Sequence, residues 1–135
     1  MAILPKLQVT GYRGIWGDTL NKEIVKKFGK AFAIFTKEDT KEEHPIILIG
    51  RDGRESGIEI KNILIKELNT IGVNIIDGDI LPTPTVLFAV RNHKYHGAII
   101  ITASHNPKEY NGLKFVTKEA LLTNESQVEK MKKYL

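Results

Sequence analysis

The sequence predicts an α/β domain of three layers, in which helices cover both faces of a mostly parallel, mixed sheet of about four strands. Two unbroken apolar runs, at residues 45–50 and 97–102, and a shorter strand-like segment at 73–77 alternate with segments of helical periodicity. Continuous apolar runs are typical of strands buried on both faces, and alternation of strands with helices is typical of parallel sheets. We therefore expect residues 45–102 to form a β-α-β-α-β unit.

The first helix is predicted from both its start signal and its apolar face. Asn21 is a residue type that caps helix N-termini, and Leu20 and Val25 have the spacing of a hydrophobic staple. Apolar residues then recur on one helical face as far as Phe35. The charged segment 37–44 is predicted to be a loop.

The remaining elements are predicted from shorter patterns. Apolar positions at helical spacing indicate the later helices, and Gly72 is a residue type that ends one. These elements are a helix over residues 60–71, a helix over 82–91, a strand over 113–116 and a helix over 126–135.

Length and composition indicate one domain spanning residues 1–135 and exclude several classes of protein. The chain has no cysteine, so it has no disulfide or cysteine-ligated metal site. No apolar run approaches the ~20 residues of a membrane span, and the first residues lack the pattern of a signal peptide. We expect a cytoplasmic protein that binds no membrane.

The charge of the chain is more consistent with a small anionic substrate than with nucleic acid. The formal net charge is +4, but the lysines are spread along the sequence in small clusters. Nucleic-acid binding favours a denser basic patch with aromatic residues among it. A modest positive balance attracts an anionic small molecule, so we expect no nucleic-acid partner.

The loop after the third predicted strand contains the most chemistry. Ligands of such sheets bind at the carboxyl ends of the strands, where Ser104 would project a hydroxyl. His105 can transfer a proton near neutral pH, and Asn106 can brace a tight turn. Lys114 can neutralise phosphoryl oxygens, and we expect the Asn111–Gly112 pair to form a sharp turn that brings it back.

Two other interpretations of this loop remain open at the level of residues. Ser104 could be a capping residue in an ordinary polar loop, because short motifs often occur by chance. It could also be a catalytic-triad serine, although the Gly-x-Ser-x-Gly elbow is absent from the sequence around it.

Three segments together resemble the α-D-phosphohexomutases, the phosphoglucomutase and phosphomannomutase superfamily. Residues 102–115, Thr-Ala-Ser-His-Asn-Pro-Lys-Glu-Tyr-Asn-Gly-Leu-Lys-Phe, resemble the active-site loop of that family. Residues 11–14 and 50–57 resemble its Gly-x-Arg-Gly and Gly-Arg-Asp-x-Arg-x-Ser segments, in the same order. The family usually has Thr-Ser before the first of these segments, whereas this chain has Val9 and Thr10. The resemblance covers the first of four family domains, so domains 2–4 are absent from this chain.

The resemblance implies a reaction and roles for particular residues. Ser104 would carry a phosphoryl group that moves between O1 and O6 of a hexose phosphate through a hexose 1,6-bisphosphate, which is also the activator. Arg13 and Lys114 would lie beside the phosphoserine, and Asn106 would contact phosphate. His105 would act as an acid or base or contact the phosphate. Mg²⁺ would bind the phosphate on Ser104, with its other ligands in domain 2.

Several alternatives accompany this interpretation. The chain could be a stand-alone binding or phospho-accepting module without turnover, or part of a phosphoglucosamine mutase. Glucose or mannose phosphate is the expected substrate, with domains 2–4 of the parent chain as partners. We expect the isolated chain to be inactive as a mutase.

Other polar residues have structural interpretations. Arg51, Asp52 and Arg54 are expected to form an ion pair that secures a loop. His93 and His96 lack a third ligand at useful spacing, so we do not expect them to bind a metal.

Overall fold

The computed structural model describes residues 6–135, in which five strands and four helices follow one another along the chain. The elements are β1 (Tyr12–Ile15), α1 (Lys22–Thr40), β2 (Ile46–Arg51), α2 (Ser56–Asn69), β3 (Asn74–Ile80), α3 (Thr83–His93), β4 (Gly97–Ile101), β5 (Tyr110–Val116) and α4 (Glu125–Lys132). No helix in this part of the chain is long and apolar enough to span a bilayer.

The strands form one mixed sheet in the order β1-β5-β4-β2-β3. Strands β3, β2 and β4 are parallel, whereas β5 runs antiparallel to both β4 and β1. The predicted β-α-β-α-β unit and the α/β fold class are confirmed. The sheet has five strands instead of about four, because β1 was not predicted: its four residues, at the edge of the sheet, are too few to show a periodic pattern.

Alternation along the central strands separates the two faces of the sheet. Ile47, Ile49 and Ile99 pack against α1, α2 and α4, while Leu48 and Ile100 pack against α3. Successive side chains of a strand point to opposite faces, so a continuous apolar run supplies both cores at once. The predicted three-layer arrangement is therefore confirmed, and the physical reason is the apolar run itself.

The start of α1 agrees with the prediction from the sequence, but its end does not. The Asn21 side chain accepts the Ile24 N–H at 3.0 Å, and Leu20 and Val25 are both buried in the same core cluster. The helix continues to Thr40, so the loop predicted over 37–44 was wrong in its first half. Charged residues of this last turn have partners elsewhere in the fold, as when the Lys37 ammonium donates to the Ile71 carbonyl.

The turn predicted at Asn111–Gly112 was also wrong. Both residues lie inside β5, where Asn111 pairs with Gly14 and Gly112 pairs with Arg13. The position of Lys114 is therefore set by strand register, which places it opposite Ile100 of β4. Glycine is required at 112 because a Cβ there would lie 2.5 Å from the Tyr12 carbonyl oxygen and 2.8 Å from that of Thr102.

We predict that Gly112→Ala lowers the free energy of unfolding by about 1–3 kcal/mol, the usual cost of forcing an extra methyl group into a packed region. The atoms in its way belong to the main chain of two neighbouring segments, which cannot move aside as a flexible side chain could. Urea unfolding followed by circular dichroism measures the change.

Gly53→Ala is the matched control. A Cβ at Gly53 would meet no atom within 4 Å in the described part of the chain. Its free energy of unfolding should stay within about 0.5 kcal/mol of the unmodified protein. Equal losses in the two variants would contradict the close packing of β5 against β1.

Candidate functional site

Ser104 lies in the loop that follows the central strand β4. We call residues 102–109, between β4 and β5, the serine loop. Ser104 is partly buried and has a left-handed backbone, with φ of +55°. Such a conformation costs about 1–3 kcal/mol for a residue other than glycine and persists only where the surroundings enforce it. The expectation that Ser104 follows a central strand is confirmed.

Asp52 is the first residue that helps to enforce the left-handed backbone of Ser104. The Ser104 N–H donates to the Thr102 hydroxyl oxygen at 3.0 Å, and that hydroxyl donates to Asp52 Oδ2 at 2.7 Å. Asp52 lies in the loop after β2, which is the parallel neighbour of β4. Two loops at the same edge of the sheet are therefore linked through side chains.

Arg54 is the second such residue. Its Nε donates to Asp52 Oδ2 at 3.1 Å, in the ion pair that the sequence led us to expect. Arg51 pairs elsewhere, with Asp79 at 2.8 Å. The Arg54 guanidinium also donates to carbonyl oxygens of the serine loop, including that of Ser104 at 3.1 Å. Sequence reasoning missed this role, although the adjacency of β2 and β4 in a parallel sheet was the available signal.

Arg13 and Lys114 lie near each other on the neighbouring strands. Arg13 pairs with Gly112 across β1 and β5, and Lys114 lies two residues further along β5 on the same face. Arg13 is exposed, and its Nη1 lies 3.5 Å from Asn106 Oδ1 in the serine loop. Within residues 6–135 neither Arg13 nor Lys114 makes a salt bridge.

The environment of Lys114 holds its pKa below the ordinary lysine value. Burial, which disfavours the charged ammonium, is the main cause, and the positive charge of Arg13 adds to it. A bound anion would raise the pKa of Lys114 again, because it would supply the opposite charge that the two side chains lack in this part of the chain.

His105 is exposed, and its ring has no hydrogen-bond partner within the described residues. His105 therefore follows Ser104 in the chain, but its ring makes no hydrogen bond to the described residues of the serine loop. His93 stacks on Tyr95 at 5.2 Å, and His96 Nδ1 accepts the Ile46 N–H at 2.9 Å. These contacts give both histidines structural roles.

Comparison with known proteins identifies the family. Residues 5–135 match the model described as "Phosphoglucomutase/phosphomannomutase, alpha/beta/alpha domain I". The chain belongs to the phosphoglucomutase/phosphomannomutase family. The resemblance of its three motifs is thereby confirmed, and the serine loop and β1 are parts of a family domain I.

Two curated members of the family show how much of such proteins this domain represents. A phosphoglucomutase/phosphomannomutase of Thermococcus kodakarensis is 41% identical over 106 residues, which are 78% of this chain and 23% of the relative. A phosphoglucosamine/phosphogalactosamine mutase of Sulfurisphaera tokodaii is 40% identical over 111 residues, or 82% and 23%. The chain thus spans about a quarter of the length of the curated relatives that it matches.

A solved structure supports the fold independently. A protein from Thermus thermophilus, provisionally described as a phosphomannomutase, superposes with a TM-score of 0.89 at 23% identity. The match covers 99% of this chain and 30% of that one. At this identity the comparison establishes the architecture alone.

The side chains of residues 6–135 offer no ready-made magnesium site. Residues 6–135 contain no group of three or more histidine, aspartate or glutamate side chains that could hold a metal ion. Mg²⁺ prefers about six oxygen ligands in octahedral array, and the Ser104 hydroxyl offers one. Any such ion would need further ligands from outside the described chain.

We predict that Lys114→Met stabilises the domain near neutral pH by less than about 1 kcal/mol. The folded pKa of Lys114 lies below its unfolded value, so its charge opposes folding while both states are protonated. The advantage of the variant should shrink as the pH rises through the folded pKa towards 10.5, where the wild-type lysine becomes neutral. Thermal unfolding across this pH range measures the effect.

Lys108→Met is the control, because Lys108 is an exposed residue of the serine loop, six residues before Lys114. Replacing an exposed side chain should change the unfolding temperature little. A Lys114→Met variant that behaves in the same way would contradict the unfavourable environment assigned to Lys114.

Proposed function

We propose that this chain is the phosphoserine-bearing domain of a phosphohexomutase and that Ser104 accepts and returns the transferred phosphoryl group. The observation that carries the proposal is that Ser104, held in a left-handed backbone, lies in a loop that Arg13 contacts through Asn106, with Lys114 close enough to Arg13 to feel its charge. Neither basic side chain has a carboxylate partner within the described residues. Membership of the phosphoglucomutase/phosphomannomutase family agrees with it.

The proposed reaction has two transfers. A hydroxyl oxygen of the hexose phosphate attacks the phosphorus of phospho-Ser104, the bond from phosphorus to Ser104 Oγ breaks, and the hydroxyl loses its proton to a base. The product is a hexose 1,6-bisphosphate. Ser104 Oγ takes up a proton as it leaves in the first transfer. In the second transfer the Ser104 hydroxyl loses that proton and attacks the phosphorus of the other phosphoryl group, the bond from that phosphorus to the sugar oxygen breaks, and the sugar oxygen is protonated. The phosphate has then moved between O1 and O6, and the phosphoserine is restored.

Electrostatics supports these roles. Phosphoserine carries about −1.5 to −2 charges near pH 7, and the transferring group spreads its charge over three oxygens. Arg13 and Lys114 would offset that charge, and an anion would offset the cost of keeping Lys114 charged, which comes from its burial and from the charge of Arg13. Asn106, which lies next to Arg13, would contact the phosphate, and exposed His105 would act as the acid or base or as a further phosphate contact.

The substrate is proposed to be glucose or mannose phosphate, with glucosamine phosphate as the alternative. The names of the relatives include both kinds of sugar. The chain spans about a quarter of those relatives, so sugar recognition, the distal phosphate contact and the remaining Mg²⁺ ligands are assigned to domains 2–4 of a longer parent chain. We also propose a cytoplasmic location, because charged sugar phosphates do not cross an apolar bilayer unaided.

Replacing Ser104 tests the proposal directly. In the full-length parent we expect Ser104→Ala to lower kcat at least about 1,000-fold, because no group then holds the phosphoryl between the two transfers. A coupled mutase assay with a hexose 1,6-bisphosphate activator measures it. Ser126→Ala, which removes an exposed hydroxyl at the start of α4, should leave kcat unchanged. Full activity in Ser104→Ala would overturn the proposal.

A second prediction separates the mutase from a stand-alone module. The 135-residue chain alone should show no mutase turnover, because positioning of the substrate contributes about 7–11 kcal/mol to such catalysis and the chain lacks the proposed distal contacts. The same coupled assay compares it with the parent. Robust turnover by the isolated chain would show that domains 2–4 are dispensable.

A further inference from the structure

The guanidinium of Arg54 uses its full hydrogen-bonding capacity. Arginine has five N–H donors in a planar fork, and here each has an acceptor. Nε donates to Asp52 Oδ2, Nη1 donates to the carbonyl oxygens of Pro107 and Tyr110, and Nη2 donates to those of Ser104 and Asn106. The Arg54–carbonyl distances run from 2.6 to 3.1 Å.

The four carbonyl oxygens belong to one short stretch, the serine loop and the first residue of β5. Arg54 is at least fifty residues away in sequence and comes from the loop after β2. Its side chain is only 13% exposed, so little water can reach the guanidinium and take over its hydrogen bonds to the carbonyls. A buried polar group that loses its partner costs far more than one on the surface.

The backbone of Ser104 is held on both of its sides. Its N–H bonds to Thr102, whose hydroxyl donates to Asp52, and its carbonyl oxygen accepts from Arg54. Asp52 and Arg54 are themselves an ion pair. The left-handed conformation at Ser104 is therefore enforced by two linked side chains from the neighbouring strand's loop.

These contacts also determine where the loop's free N–H groups point. The peptide bonds are trans throughout the described chain, and in a trans peptide the N–H lies opposite the carbonyl of the preceding residue. Because the Ser104 and Pro107 carbonyls face Arg54, the N–H groups of His105 and Lys108 face away from it. Main-chain N–H groups without a partner in the loop are donors that can bind a phosphoryl group.

We propose that Arg54 is a positioning residue for phosphoryl transfer, acting with Asp52 through the backbone of the serine loop. The inference rests on the function proposed for Ser104 and assigns a role to a side chain that touches no reacting atom. By holding four carbonyls on one side, Arg54 fixes the direction of the Ser104 hydroxyl and presents the opposite side of the loop to the phosphoryl group.

Arg54→Lys tests the fork geometry while the positive charge is kept. Lysine has three donors on one nitrogen, so at least two of the five acceptors lose their partner. Arg51→Lys is the matched control, because Arg51 is similarly buried at 9% exposure and pairs with Asp79 through two nitrogens. Its third nitrogen donates to the Asp52 main-chain carbonyl at 3.2 Å, and none of these bonds involves the serine loop or the Asp52 carboxylate.

The first measurement uses the 135-residue chain and needs no catalysis. In ¹H–¹⁵N NMR spectra, Arg54→Lys should shift the Ser104 to Tyr110 amide signals and speed their hydrogen exchange, while Arg51→Lys leaves them unchanged. Serine-loop signals that are unchanged in Arg54→Lys would overturn the proposal.

The second measurement uses the full-length parent. A misplacement of about 1 Å costs on the order of 100-fold in rate, so Arg54→Lys should lower kcat about 100-fold and leave KM nearly unchanged. Arg51→Lys should keep the wild-type kcat even if it lowers stability. If Ser104→Ala is inactive and Arg54→Lys has the wild-type kcat, the positioning role is refuted while the proposed function survives. If Ser104→Ala is active, the proposed function fails, and the role of Arg54 in it fails too.

Asp52→Asn decides the matter if Arg54→Lys does not fold. It keeps the shape of Asp52 but replaces one carboxylate oxygen with an NH₂ group. If that group replaces Oδ2, both the Thr102 hydroxyl and Arg54 Nε lose their acceptor; if it replaces Oδ1, the Arg54 main-chain N–H loses its acceptor. We expect a smaller fall in kcat, about 10-fold, because the four carbonyl bonds remain. An unchanged kcat in this variant would then count against the positioning role.

Discussion

The burial of β4 on both faces, between a parallel and an antiparallel neighbour, is the constraint on which the site depends. Its parallel pairing with β2 brings the loops after both strands to one edge of the sheet, where Asp52 and Ser104 become neighbours in space. Its antiparallel pairing with β5 returns the chain beside it and carries Lys114. The segments that carry Asp52, Ser104 and Lys114 therefore lie side by side, because one apolar strand has two different partners.

The elements that were predicted from the sequence are those that bury a long apolar pattern. The runs in β2 and β4 supply both cores, so their position and the place of Ser104 after β4 could be predicted. Strand β1 depends on its partner β5, and the Asn111–Gly112 pair is typical of a turn in isolation, so local patterns could not reveal either arrangement. The bonds from Arg54 to main-chain carbonyls were missed too: the adjacency of β2 and β4 indicated that their loops meet, but a carbonyl carries no signature in the sequence that identifies it as the acceptor.

The site combines a rigid loop with two basic side chains whose charges are unfavourable in the free domain. Hydrogen bonds from Asp52 and Arg54 hold the serine loop, whereas Arg13 and Lys114 bring two positive charges together with no carboxylate paired to them in the described chain. Rigid donors need no reorganisation when charge arrives, and unpaired cations gain most from an anion. The same unpaired charges that make such a site favour anions also lower the stability of the free domain.

Arg54 holds the serine loop and the start of β5 through main-chain carbonyl oxygens, and this has a consequence for how the loop can vary among proteins. A carbonyl oxygen is present whatever side chain the residue bears. Exposed side chains of the loop, such as those of His105, Lys108 and Glu109, can therefore be exchanged without removing any acceptor from the guanidinium. The scaffold separates the geometry of the loop from its surface chemistry, so new contacts can evolve on a backbone that keeps its shape.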